Sequence, residues 1–331
     1  MNRTMWTSAR LLGGALTFAV LLWRFGVRPF VDGLQLISAW SLLAASAITV
    51  LTTVCCAWRW SLVARNLGAS VPLRAAIPAY YRSQFLNTTL PGGVLGDVHR
   101  GLRHGVEVGD VGRGLRAVAW ERSAGQVVQL AVAIVLLILL PSPVRSTVRS
   151  SVPAIAVIGL AGGLGVLLLI RALAQGGPSG WARMLRKLVT DLREGLLARR
   201  ALPAIVIASA VVVAGHAATF VIAARTAGST APALQLLPLA LLVLLATGIP
   251  LNIAGWGPRE GAAAWAFGLA GLGAAQGVAT AVGYGVMVLV ANLPGAGVLI
   301  VDMLRRSVHD ANPSRPWRPS ARPCPDGAAR G

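Results

Sequence analysis

The groups best able to bind an anion are concentrated in one polar segment of an otherwise apolar chain, Arg82-Ser-Gln-Phe-Leu-Asn87-Thr-Thr-Leu-Pro91-Gly92-Gly93-Val-Leu-Gly96-Asp97-Val-His-Arg100. Glycines let a backbone turn and approach a ligand closely, and a helix starting there offers N–H groups to a phosphate. Arg82 and Arg100 add charge. The alternative is an ordinary cytoplasmic loop, against which the aromatic and apolar flanks argue. A second segment holds Leu251-Asn252 followed by Gly255-Trp-Gly257-Pro-Arg259-Glu260. Charges between apolar segments cost roughly 2.5–3.5 kcal/mol each at a helix centre, so a buried Arg259 and Glu260 need partners. Adjacent residues point different ways on a helix, so each is expected to pair elsewhere; the alternative is a loop at the membrane surface. Third, Glu121 and Arg122 open a long apolar stretch in which Glu121, Gly125 and Gln129 recur every four residues along one face. That face should look into a bundle; an interfacial salt bridge at a helix end is the plainer reading.

This is the equipment of a binding site rather than of bond-making chemistry. The chain has no HExxH, GxSxG, Walker A, CxxC or GxGxxG pattern, and His99, His104, His216 and His309 lack metal-ligand spacing. Neither a catalytic residue nor a cofactor or metal is expected. His216, alone in an apolar run, reads as a packed, hydrogen-bonded residue, and Asp302 beside Arg305 and Arg306 as a helix end. Gly159/Gly163 and Gly273/Gly277 read as small-xxx-small packing pairs.

The elements that position these residues are membrane helices. Of 331 residues 55% are hydrophobic and only 12% charged, with a mean hydropathy of +0.68, far from the soluble average of roughly 25% charged. The net charge of +19 does not indicate nucleic acid, because the arginines punctuate apolar runs instead of forming one basic face. Lys187 is the only lysine. Cys55, Cys56 and Cys324 suggest neither a disulfide framework nor a metal site. Stretches near 10–27, 34–57, 115–140, 152–173, 202–224 and 276–301 are each long enough to span. The first resembles a signal peptide, but Trp23-Arg24 stands where a small-residue cleavage site belongs, so it is read as a spanning helix.

Two regions are interrupted: 75–98 by Pro78, Arg82, Asn87, Pro91, Gly92, Gly93 and Asp97, and 236–273 around Pro250 to Glu260. Irregular backbone at membrane depth survives only beside protein or a water-filled cavity. Both breaks carry Leu-Asn, a Gly/Pro turn and opposite charges, which fits two structural repeats, 1–140 and 152–305. The fold class is therefore all-α and polytopic, with six to eight transmembrane helices, two broken or re-entrant segments and an inverted repeat. With the N-terminus inside, the Arg-rich stretches 58–116, 171–200 and beyond Arg305 fall on the cytoplasmic side, and so do both termini. Re-entrant breaks would open from opposite sides; if the pieces of 236–273 each cross, the spans number seven or eight. Residues 181–197, with Trp181, Met184, Leu185, Leu188, Leu192 and Leu196 opposite Arg183, Arg186, Lys187, Asp191 and Arg193, form an amphipathic surface helix. Residues 311–331 make a disordered basic Pro/Arg-rich tail.

Phe85-Leu-Asn87-(x)3-Pro91-Gly-Gly-(x)2-Gly96-Asp97-(x)2-Arg100, then Trp120-Glu121-Arg122-Ser-Ala-Gly125, then Gly255-Trp-Gly-Pro-Arg259-Glu260, in that order and spacing, resemble the lysylphosphatidylglycerol synthase transmembrane family. The resemblance implies a polytopic helical, flippase-like domain that moves polar-headed lipids between leaflets of the cell membrane, the inner membrane in a bacterium. Trp256 and Pro258 depart from the family pattern, and no soluble transferase follows the last helix, so aminoacyl transfer is not expected. The expected partners are membrane phospholipids or glycolipids, and no nucleic acid. Arg82, Arg100 and Arg259 would meet the phosphate, with Asp97, Glu121 and Glu260 holding those arginines. The competing reading is a non-transporting membrane anchor for a separate envelope-biosynthesis enzyme; a membrane-embedded lipid-modifying enzyme comes third.

Overall fold

A computed structural model of the chain describes residues 37–90, 93–140, 190–196, 198, 201–248 and 257–310. The spans read at 10–27 and 152–173, the Gly159/Gly163 pair and the tail 311–331 lie outside the described residues. Those described form helices α1 (Ala39–Asn66), α2 (Leu73–Thr89), α3 (Leu95–Glu107), α4 (Val111–Leu139), α5 (Leu202–Thr226), α6 (Ala233–Ala246), α7 (Pro258–Leu269), α8 (Ala274–Ala291) and α9 (Leu293–Asp310), with a π-helical turn at Leu192–Leu196.

The order long helix, short helix, short helix, long helix occurs twice, as α1 to α4 and as α5 to α8. Local hydrogen bonding repeats with it. After α1 the N–H groups of Leu67, Gly68 and Ala69 donate to Val63, Arg65 and Ala64; after α5 those of Ala227, Gly228 and Ser229 donate to Ala223, Arg225 and Ala224. Gly68 and Gly228 take positive φ at these two turns, 72° and 87°, where a side chain would be strained. Pro72 and Pro232 then start α2 and α6 by accepting their first hydrogen bonds. Each short helix tolerates one internal proline, Pro78 or Pro238.

Packing repeats too: α1 against α4 matches α5 against α8, and α4 against α5 matches α8 against α1. Between the halves, α1 packs on α5, where Thr52 and Ile48 face Gly215 and Arg59 reaches Ser209. Numbers rise along one helix while they fall along the other, so the two helices are antiparallel. Equivalent helices that cross antiparallel are related by an axis perpendicular to both, which for spanning helices lies in the membrane plane; this is the geometry of an inverted repeat.

Helix α1, helix α5 and the joined stretch Ala274–Arg305 are long and apolar enough to cross a membrane. Their outer surfaces agree, since Leu43, Val50, Val206, Ile207, Ile300 and Leu304 are exposed and need an apolar surround. The core of the second half is built on Phe220, Leu239, Phe267 and Met287, with Ala45 of α1 and Ala133 of α4 packed against it. Two expectations are corrected. Helix α2 continues through Pro78, Arg82 and Asn87, and the interruption is confined to the few residues after Thr89, because Arg82 and Asn87 find partners in neighbouring helices. The apolar stretch 276–301 divides at Asn292, which caps α8 by donating to the Val288 and Leu289 carbonyls. Pro294 starts α9, where its missing N–H costs no helical bond, and Gly295 lets α9 lie against the Tyr81 backbone of α2.

Candidate functional site: a charged chain beside a central cavity

Helices α2 and α3 form a tight antiparallel hairpin. A Cβ on Gly96 would collide with the Ser83 carbonyl, and the bare glycine brings Asp97 under α2. There Asp97 accepts hydrogen bonds from Ser83 Oγ at 2.9 Å and Asn87 Nδ2 at 2.9 Å, while Asn87 Oδ1 accepts the Gly96 N–H at 2.8 Å. Gly93 has φ 64° just before α3.

From Asp97 an unbroken line of alternating charge runs through the fold. Arg122 of α4 donates Nε to Asp97 Oδ2 at 2.6 Å. Arg100 donates Nη2 both to Asp97 Oδ1 at 3.0 Å and to Glu121 Oε2 at 3.0 Å. Glu121 Oε1 accepts Arg59 Nε at 3.0 Å and Tyr80 Oη at 3.2 Å, and Arg59 Nη1 donates to Ser209 Oγ of α5 at 2.8 Å. The order is Arg59, Glu121, Arg100, Asp97, Arg122. Arg100 is sandwiched, its guanidinium carbon 4.6 Å from the Trp60 ring centroid and 4.1 Å from that of Tyr80. Its Nε and Nη1 have no hydrogen-bond partner among the described residues; the two rings hold it through cation–π attraction. Burying such charges is tolerable only because each meets an opposite one with good geometry.

The two ends of this line, Arg59 and Arg122, open onto a cavity of about 150 Å³. Gln84 of α2, Gly125, Gln126 and Gln129 of α4, Ser209 and His216 of α5, Thr247 at the C-cap of α6 and Tyr284 of α8 also line it. Cys56, Gly125, Gln126, Val212 and Val213 lie near the middles of their helices, which places the cavity about halfway along the bundle. Glu121 is wholly buried behind the wall, and Gly125 and Gln129 face the space as their four-residue spacing indicates.

Arg259 and Glu260, each expected to find a partner elsewhere, are bonded to each other. Arg259 donates to Glu260 Oε1 from Nε at 2.9 Å and Nη2 at 2.6 Å, and Glu260 Oε2 accepts the Gly257 N–H at 2.6 Å. The divergence of neighbours holds inside a helix, but Glu260 stands in the first turn of α7 and folds back to cap it. Gly257 takes φ 129°. Arg259 lies 5.5 Å from the Tyr284 ring centroid, in space kept by Gly285, and Tyr284 Oη meets His216 Nδ1 at 3.1 Å. One ring therefore separates Arg259 from the cavity.

Of the residues singled out in the sequence, Asn87, Asp97, Arg100, Glu121 and Arg122 come together. Arg82 does not join them: it pairs with Asp302 of α9, which also accepts Arg103 Nη1 at 2.6 Å. Asp302 thus ties α9 to the α2–α3 hairpin rather than ending a helix beside its own arginines. Arg100, expected to touch a phosphate, is only 1% exposed and acts from behind the cavity wall. Pro91, Gly92, Asn252 and Gly255 lie outside the described residues. Of the pair Gly273/Gly277, Gly277 packs against the Ala263 backbone, whereas a Cβ on Gly273 would meet nothing within 4 Å among the described residues. Within 181–197, only 190–196 are described. There Asp191, read on the polar face, is buried against Arg116 at 2.6 Å, with Leu196 packed near Val63 and Ala124.

Arg59, Tyr80, Gln84, Gln126, Ser209, Thr247 and Tyr284 escaped the sequence reading. Arg59 sits between two tryptophans at the end of an apolar run, where an interfacial arginine is the ordinary reading. The signal that could have found it is Cys56-(x)2-Arg59, a polar stripe one turn apart in α1. The chain matches the lysylphosphatidylglycerol synthase TM region across residues 8–295. No curated protein and no solved structure matches it. The stretch matched takes in every described helix up to the start of α9, the charged line included, and this chain belongs to the lysylphosphatidylglycerol synthase transmembrane-region family.

Proposed function

We propose that the protein translocates a polar-headed membrane lipid between leaflets, with the head group passing through the central cavity and the acyl chains remaining outside in lipid. The observation that carries this reading is the cavity's position. It lies halfway along membrane-type helices, is walled by α1, α2 and α4 of one half and α5, α6 and α8 of the other, and is lined by side chains that hydrogen-bond. Transporters built from inverted repeats place their sites at this junction, beside discontinuous helices, and expose them alternately by rocking one half against the other. The line of charges belongs wholly to the first half except for the Arg59–Ser209 bond, so the halves can separate without breaking an ion pair in it. Membership of a family named for a lipid synthase's membrane region supports a lipid as the cargo.

The cellular setting that fits is the plasma membrane, with both termini cytoplasmic and no bond made or broken in the cargo. Reconstitution tests this. Purified protein in liposomes carrying a tail-labelled fluorescent phospholipid should let an impermeant reductant bleach the inner-leaflet fraction; bleaching no greater than in protein-free liposomes, across phospholipid and glycolipid probes, would overturn the proposal.

A further inference from the structure

Resting on that reading of the cavity, we infer that it selects a small head group carrying an anionic phosphate and excludes cationic ones. Three observations lead there. First, the charged line holds three arginines and two carboxylates, and both of its ends are arginines on the cavity, while Asp97 and Glu121 are 7% and 0% exposed. The cavity therefore meets the positive ends of a line bearing one net positive charge. Second, Arg122 is held by Asp97 through Nε and Nη2, yet 42% of its side chain stays exposed. A guanidinium gripped by a carboxylate on one edge is pre-organised to present the other edge to phosphate oxygens. Third, the remaining polar lining is neutral: Gln84, Gln126, Gln129, Ser209, Thr247, Tyr284 and His216, with no Asp or Glu among the described lining residues. A primary ammonium entering here would meet arginines and no accessible carboxylate, whereas hydroxyls next to a phosphate would meet amide and hydroxyl partners.

Size narrows the class further. A cavity of about 150 Å³ is comparable to an engineered one that admits a benzene-sized guest. That suits a phosphate and the first atoms of a polyol, as in a phosphoglycerol head group, and not an oligosaccharide. Like charges close together in a low-dielectric site repel by several kcal/mol, so an aminoacylated head group is disfavoured even though the family name refers to one.

Binding of short-chain lipids by the detergent-solubilised full chain tests this independently of transport. Dihexanoyl phosphatidylglycerol should raise the melting temperature saturably, and dihexanoyl phosphatidylcholine and a lysyl-esterified phosphatidylglycerol should not. Gln126→Glu puts a carboxylate on the wall one turn from Arg122, where it competes with a phosphate for that guanidinium, and Arg122→Gln removes the presenting guanidinium. Each should weaken the phosphatidylglycerol effect by about tenfold to a hundredfold, the loss of one charge-assisted hydrogen bond. Equal stabilisation by all three lipids, or an unchanged response in Gln126→Glu, overturns the inference. So does stabilisation by inorganic phosphate without stabilisation by the lipid, which would make the cavity a free-anion site. Absent flipping in liposomes alongside selective phosphatidylglycerol binding would instead overturn translocation and leave the selectivity standing.

Discussion

Arg59 and Glu121, on different helices, meet through two hydrogen bonds, Nε to Oε1 at 3.0 Å and Nη2 to Oε1 at 2.5 Å, with side-chain exposures of 4% and 0%. Glu121 also holds Arg100, so one carboxylate balances two buried guanidiniums. Glu121→Gln leaves both without their shared counter-charge, and breaking a buried pair from one side costs about 3–5 kcal/mol. The variant should lose most of its folded yield and melt well below the parent in a detergent thermal-shift measurement. A melting temperature within a degree or two of the parent would show that the line of charges does not hold the helices together.

Two glycines of α9, two positions apart, give a matched test of packing. A Cβ on Gly295 would collide with the Tyr81 backbone and come within 2.8 Å of Phe85 Cβ, whereas one on Gly297 meets nothing within 4 Å. Gly295→Ala should destabilise by about 1–3 kcal/mol through overpacking. Gly297→Ala should be neutral or slightly stabilising, since alanine loses less backbone freedom in a helix. Similar melting temperatures for the two variants would mean that α9 does not sit on α2.

The break after Thr89 was legible in the sequence because glycine and proline beside charge in an apolar run mark a turn; the second, around Pro250, lies outside the described residues. The face bearing Glu121, Gly125 and Gln129 was legible because a four-residue repeat survives folding unchanged. What could not be read is what depends on helices crossing. Arg59 becomes part of the site only where α1 runs antiparallel to α5, and no spacing in the chain announces Ser209 as its partner. Asp302 beside Arg305 reads as a helix end until α9 folds back on α2. The pairing of Arg259 with its neighbour depends on the first-turn geometry after Gly257, which a helical-wheel argument does not cover.

Asp302 draws on two arginines from different helices, Arg82 and Arg103, and is only half-buried. Asp302→Asn should therefore cost less than Glu121→Gln, on the order of 1–3 kcal/mol for hydrogen bonds to a charged group. Limited proteolysis after α9 should accelerate as the helix loosens from the hairpin, and an unchanged cleavage rate would show that this contact does not retain α9.

The pair Arg259 and Glu260 stands one ring from the cavity, so it should support transport from outside the head-group path. Glu260→Gln keeps an acceptor for the Gly257 N–H but removes the counter-charge of Arg259, and should lower stability. Arg259→Lys keeps the charge and loses the two-pronged contact. Because Arg259 is placed behind Tyr284, the lysine variant should retain lipid movement within a fewfold of the parent in reconstituted vesicles; a complete loss would put Arg259 in direct contact with the cargo.

The proposed orientation, with both termini cytoplasmic, rests on the arginine-rich segments and is read at Cys324. With Cys55 and Cys56 replaced, an impermeant thiol reagent should label Cys324 only after the cells are opened. Labelling in intact cells would place the C-terminus outside and reverse the assignment.

If head groups pass through the space between Arg59, Arg122 and the glutamines, as proposed, tail-labelled phosphatidylglycerol in proteoliposomes reports their passage. The parent protein should expose the inner-leaflet label to an external reductant, so that bleaching passes from about half to nearly all of the fluorescence. Gln129→Trp, which puts a bulky ring on the cavity wall away from the Arg59–Glu121 pair, should stop bleaching at the protein-free level while the protein remains folded. Bleaching by that folded variant at the parent rate would contradict the account.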